Sequence, residues 1–191
     1  AMARESYLRQ VEFQPSDALV ATQFSFTAAI DNILRLLPET SRIVFVFGDS
    51  QSERTLSEGA RQQLEPLSDR ISFEFTNDMT IPEIQDTLAG LPDGAVVFYG
   101  IFSSDVDGVA LRRYSGLTMV RAASRVPVVG AFDDQVGDGI IGGNLIQVEQ
   151  IGSEMTEAAQ ALLTNTHVPG TMTVVPLSKP RYDWSELTAW N

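Results

Sequence analysis

Apolar runs and amphipathic stretches alternate along the chain with few interruptions, and that alternation predicts most of the architecture. Residues 26–37 place Phe26, Ala29, Ile30, Ile33, Leu34 and Leu37 on one helical face. Pro38 and the polar Glu39-Thr40-Ser41 end that helix. Residues 43–47 then form a continuous apolar run, the pattern of a strand buried on both faces. After Gly48-Asp49-Ser50-Gln51-Ser52 a second helix stacks Leu56, Ala60, Leu64 and Leu67. Residues 71–75 read as a strand and 81–91 as a helix, with Thr80 as N-cap and Pro82 near its first turn. A Pro92-Asp93-Gly94 turn opens the strand at 95–99. Residues 117–124 form a weaker helix, 127–132 a fourth strand and 140–148 an extended stretch. The clearest helix is 149–165, with Ile151, Met155, Ala158, Ala159, Leu162 and Leu163 on one face. Residues 18–22 and 171–176 are short strand candidates, and 183–190 predicts a closing helix capped by Asp183. Repeated strand–helix alternation predicts an α/β fold, a doubly wound parallel sheet in three layers.

Composition narrows the function. A length of 191 residues suits one good-sized domain or two small lobes sharing elements. Thirteen basic and 25 acidic side chains give a net charge of −12. That balance argues against nucleic acid and anionic membranes as partners, where phosphate neutralisation supplies most of the affinity. The absence of cysteine excludes disulfides, thiol nucleophiles and zinc ribbons. The lone His167 makes no metal site by itself, and no cofactor motif stands in its required context. No window approaches the ~18 apolar residues of a membrane span, so direct membrane insertion is not expected. The opening Ala1-Met2-Ala3-Arg4-Glu5-Ser6 lacks the apolar core of a signal peptide.

In an open parallel sheet, polar groups at the carboxyl ends of strands face the ligand crevice. Three predicted strand ends carry such groups: Gly48-Asp49-Ser50-Gln51-Ser52, Tyr99-Gly100-Ile101-Phe102-Ser103-Ser104 and Asp133-Asp134-Gln135. Hydroxyls, amides, carboxylates and aromatics together suit a small-solute pocket. The candidate ligand-binding residues are Ser50 and Ser52 as anion donors at a helix start, Tyr99 or Phe102 as an apolar wall, and Asp133, Asp134 and Gln135 as polar contacts. The plain alternative is that Ser50 merely caps its helix and the other loops are solvated. Phe47-Gly48-Asp49-Ser50 also resembles the nucleophile block of GDSL-type esterases, which makes a serine esterase using Ser50 the enzymatic alternative. Its triad is poorly supported, because Thr164 stands three before His167 where that family has an aspartate. Gly137-Asp138-Gly139-Ile140-Ile141-Gly142 spells a dinucleotide fingerprint, but the residues after it read as extended and open no helix. A tight backbone crossing between lobes explains those glycines better.

The order of elements around Phe132-Asp133-Asp134-Gln135, the crossing Gly139-Ile140-Ile141-Gly142-Gly143, and the ending Tyr182-Asp183-Trp184-Ser185-Glu186-Leu187 resembles the later half of type I periplasmic solute-binding proteins. It is most similar to the ABC-transporter-substrate-binding-like extracytoplasmic sensor domains of bacterial histidine kinases. The resemblance runs from about Leu19 to Trp190. It implies a non-enzymatic, extracytoplasmic domain that binds a small solute for a sensor kinase in the same polypeptide or for an ABC uptake system. It also implies a first lobe, most of which is expected to be lacking here, with residues 1–23 as a lead segment that is its remnant or link and 24–191 as the binding-protein-like α/β domain. A protein-interaction or homodimerisation domain is the remaining alternative.

Overall fold

A computed structural model describes residues 17–22, 24–112, 115–164, 166, 172–175 and 180–190. His167 and Lys179 lie outside them. The core is a four-stranded parallel sheet, β2 (Arg42–Val46), β3 (Ser72–Phe75), β4 (Ala95–Tyr99) and β5 (Val128–Gly130), in the order β3-β2-β4-β5. Register is set by pairs such as Phe45 with Phe98 and with Phe75, and Tyr99 with Gly130.

Alternating side chains point to opposite faces of a strand, and both faces of this sheet are covered. On one, Ile43, Phe45, Phe47, Val96, Phe98 and Val129 pack under α1 (Phe26–Leu36) and α2 (Gln51–Leu64). On the other, Val44, Val46, Val97, Tyr99 and Val128 pack under α3 (Ile81–Ala89) and α4 (Ser115–Ala123). The result is the doubly wound three-layer α/β arrangement that the apolar runs predict. The first face is an aromatic stack, with Phe45 and Phe75 rings 4.9 Å apart and Phe26 edge-on to Phe45 at 6.0 Å.

Local chemistry starts the helices where the sequence places them. Ser25, Ser50 and Thr80 cap α1, α2 and α3 through their hydroxyls, the last two in full capping boxes with Glu53 and Glu83. Asp183 caps the closing helix α6 (Trp184–Ala189), accepting from Ser185 and Glu186 N–H.

Four further strands lie outside the main sheet. β6 (Gly142–Gly143) pairs antiparallel with β8 (Arg181–Tyr182), and both glycines hold positive φ, +113° and +146°. A Cβ on Gly142 would run into the Arg181 carbonyl, so the crossing admits only glycine there. The extended continuation after these glycines agrees with a backbone crossing and not with a dinucleotide loop. β1 (Leu19–Thr22) pairs in parallel with β7 (Met172–Val175), and α5 (Val148–Leu163) packs against both. α5 is the amphipathic helix expected, yet none of its residues is buried. Leu163 is 85% and Met155 59% exposed, because β1 and β7 cover only part of its apolar face.

Candidate functional site

Parallel pairing brings the carboxyl ends of β2, β4 and β5 to one edge, where hydrogen bonds stitch the following loops together. Gly48 N–H donates to Ile101 O at 3.0 Å and Asp49 N–H to Ser104 O at 2.9 Å. Asn77 Nδ2 donates to Gly48 O at 2.6 Å, and Thr76 Oγ1 to Phe47 O at 2.9 Å. The Gln135 carboxamide closes the other side: Oε1 accepts from Ala131 and Phe132 N–H at 2.9 and 3.1 Å, and Nε2 donates to Gly100 O at 3.4 Å.

Glu53 is the central member of this network. It is 1% exposed, and a carboxylate so buried needs its lone pairs occupied. Oε1 accepts from Ser103 N–H at 2.7 Å; Oε2 accepts from Ser103 Oγ–H at 2.8 Å and Ser50 N–H at 2.9 Å. Its place in the first turn of α2 adds the favourable end of the helix dipole. One carboxylate thereby ties the Ser50 loop to the Ser103 loop. The Ser50-x-x-Glu53 spacing signals its capping role, whereas nothing in the sequence signals Ser103, fifty positions away.

Two adjoining cavities open on this edge. The larger, about 950 Å³, lies between β1 and the main sheet, with Phe24, Phe26, Phe47, Phe98 and Phe132 among its walls. Ser50, Ser52 and Thr55 supply hydroxyls along its α2 side, and none of the described residues lining it is charged. Leu56, which helical spacing groups with the core, is 37% exposed and faces this space. The smaller cavity, about 310 Å³, shares Gly100, Ile101 and Phe132 with it and adds Tyr99, Arg112, Gly116 and Asp134.

The sequence-derived candidates divide between the two. Ser50 and Ser52 line the large cavity, their hydroxyls 3.1 Å apart, with Ser50 Oγ also accepting from Glu53 N–H. Tyr99, Phe102, Asp134 and Gln135 line the small one. Phe102 is buried in the core cluster beneath α4. Asp133 lines neither cavity; it accepts from Val148 N–H at 3.0 Å and pairs with Arg181 at 3.9 Å. Burial first, then the charges of Glu53 and Asp134, push the Tyr99 phenol up to about 12. Arg112, Gly116, Phe24, Phe132 and the β1 wall are lining residues that the sequence reading does not name. Among the described residues no group of carboxylates and histidines is placed to hold a metal ion.

No protein-family profile matches the chain. No curated protein matches it in sequence either. Solved structures do match in fold. An ABC domain from Streptococcus pneumoniae in complex with L-Trp superposes with a TM-score of 0.69 at 16% identity, over 90% of this chain and 57% of its own. A conserved domain protein from Vibrio cholerae gives 0.66 at 19%, over 87% and 55%. The ligand-free, open structure of CD0873, a substrate-binding protein with adhesive properties from Clostridium difficile, gives 0.58 at 17%, over 90% and 57%. The chain thus spans little more than half the length of each. It has the α/β fold of periplasmic-binding-protein-like structures.

Proposed function

We propose that this chain is the solute-binding part of an extracytoplasmic receptor, serving a sensor kinase or an ABC uptake system, and that it binds a small molecule without transforming it. The observation that carries this reading is the large cavity at the carboxyl edge of the parallel sheet, the place where open α/β folds hold ligands. Its volume falls within the ordinary range of small-molecule sites, roughly 300–1,000 Å³. Two of the similar structures are described by bound L-Trp and as a substrate-binding protein, which supports the same reading. Ser50 and Ser52 in the large cavity, and Asp134 and Gln135 in the small one beside it, are the polar contacts assigned to the solute.

The esterase alternative is weaker on the geometry. Ser50 Oγ serves as a helix cap, accepting from Glu53 N–H, and hydrogen-bonds Ser52, a structural use of the hydroxyl that needs no catalytic base. No helix of the described residues is long and apolar enough to cross a membrane.

A thermal-shift panel of amino acids including L-tryptophan, carboxylates, sugars and purines tests the proposal. A ligand at one hundred times its Kd stabilises by about 2.7 kcal/mol, which raises the melting temperature by roughly 5–10 °C for a chain of this size. Dose-dependent shifts from one chemical class are expected. A panel without any shift, or turnover of a short-chain ester that is lost in Ser50→Ala, would overturn the reading.

A further inference from the structure

The two cavities differ in kind. The large one has aromatic and aliphatic walls with hydroxyls and amides and no charge among the described residues, and those residues offer an ionised group no charged partner. The small one carries Arg112, and beside it Tyr99, which is only 8% exposed. The Tyr99 hydroxyl has no hydrogen-bond partner among the described residues. Buried phenols ordinarily find a partner, and this hydroxyl, on the wall of the small cavity, is placed to donate to a group within it.

The surroundings hold that hydroxyl as a donor. Gly116, at the second position of α4, lets the ring approach so closely that a Cβ there would stand 2.5 Å from the phenol oxygen. With its pKa raised to about 12, the phenol keeps its proton throughout the physiological range. Asp134, the carboxylate on this lining, is exposed and has an interaction of its own within the protein. Gly100, Ile101 and Phe132 line both cavities, so the two lie side by side.

Resting on the solute-binding reading, we propose that the ligand is an apolar-bodied carboxylate, its aryl or alkyl body in the large cavity and its acid group in the small one, held by Arg112 and the Tyr99 hydroxyl. A guanidinium and a phenol are complementary to a carboxylate acceptor. The uncharged wall selects against a charged body.

Calorimetric titration of the chain with indole-3-propionate, its neutral amide indole-3-propionamide, and indole tests this assignment. The acid is expected to bind at least tenfold tighter than the amide. Arg112→Gln should weaken the acid about tenfold and Tyr99→Phe about fivefold, while neither changes the affinity for indole. Because the Tyr99 hydroxyl bonds to none of the described residues, Tyr99→Phe should melt within 2 °C of the parent. Should that variant fail to fold, the acid-to-amide ratio on the unaltered chain decides. Equal affinity for acid and amide, or an unchanged acid Kd in both variants, would overturn the proposal. If the acid fails while another solute of the thermal-shift panel binds, the carboxylate assignment falls and the solute-binding reading stands. If nothing binds, both fall.

Discussion

Glu53→Ala should be among the most damaging single substitutions in this protein, because Glu53 is buried and joins two loops of the site. Three hydrogen bonds to a carboxylate are lost at once, from Ser50 N–H, Ser103 N–H and Ser103 Oγ–H. Each such bond contributes about 1.5–3 kcal/mol. Against that stands the relief of no longer burying a carboxylate, itself several kcal/mol. The freed Ser103 groups and the lost half of the capping box leave a net destabilisation of about 2–5 kcal/mol. In a 191-residue chain that lowers the melting temperature by roughly 4–20 °C. Urea unfolding followed by circular dichroism measures the same quantity at constant temperature.

A double-mutant cycle isolates the bond between the loops. Ser103→Ala alone removes the Oγ donor and should cost about 1 kcal/mol. In the Glu53→Ala background it should cost almost nothing, since its acceptor is already gone. Glu53→Gln keeps one carbonyl oxygen but turns an amide N–H toward existing donors, and should fall between parent and alanine. If Glu53→Ala melted within 2 °C of the parent, or the Ser103→Ala effect were fully additive, the stitched-loop account would be refuted.

Three further expectations follow from the same geometry. Asp105 accepts from Ile81, Asp107 and Val109 N–H, and these bonds, Ile81 first, hold its carboxyl below the ordinary aspartate range; its stabilisation is present above about pH 4 and lost as pH falls through the depressed value. The melting gap between the parent and Asp105→Asn should therefore be full at pH 7 and shrink below pH 4, and a gap constant down to pH 2.5 would contradict this. Gly142→Ala forces a Cβ onto the Arg181 carbonyl at φ +113° and should cost about 2–4 kcal/mol, whereas Gly137→Ala, with φ +98° but open space, should cost only about 1–2 kcal/mol; equal melting temperatures would show that the crossing is not close-packed. Asp133→Ala removes the acceptor of Val148 N–H, worth about 1 kcal/mol, and should speed amide exchange at residues 148–151 about fivefold, with unchanged exchange counting against that role.

The main sheet was legible in the sequence because its signals are local. A run such as 43–47 is apolar at every position because both faces are covered, and Thr80, Asp183 and the Ser50–Glu53 pair cap helices across two or three residues. The strand-end loops followed from parallel pairing alone. What each loop residue bonds to did not follow. Asp133 and Gln135 carry side chains suited to a ligand, yet the hydrogen bonds they make run to Val148, Ala131, Phe132 and Gly100. Spacing shows which groups a loop offers, and only packing shows which of them the protein itself takes up. Leu56 makes the same point on a helix, where periodicity fixes its face but leaves open whether core or cavity lies opposite.

The walls of the large cavity come from parts of very different solidity. On one side stand Phe47 and Phe98, fully buried where they join the sheet. On the other stands β1, all four of its residues only partly buried, in a two-stranded parallel pair under a helix with no buried residue. Parallel strands usually lie between covering layers, and a pair with one helix buries little apolar surface to hold itself in place. Free energy of local opening follows buried contact, so the β1 wall belongs to the low-stability end of this molecule and the sheet to the high end. A ligand filling the space would add apolar contact mainly to the wall that lacks it. On the proposed solute-binding reading, binding and the ordering of β1, α5 and β7 would be two sides of one equilibrium.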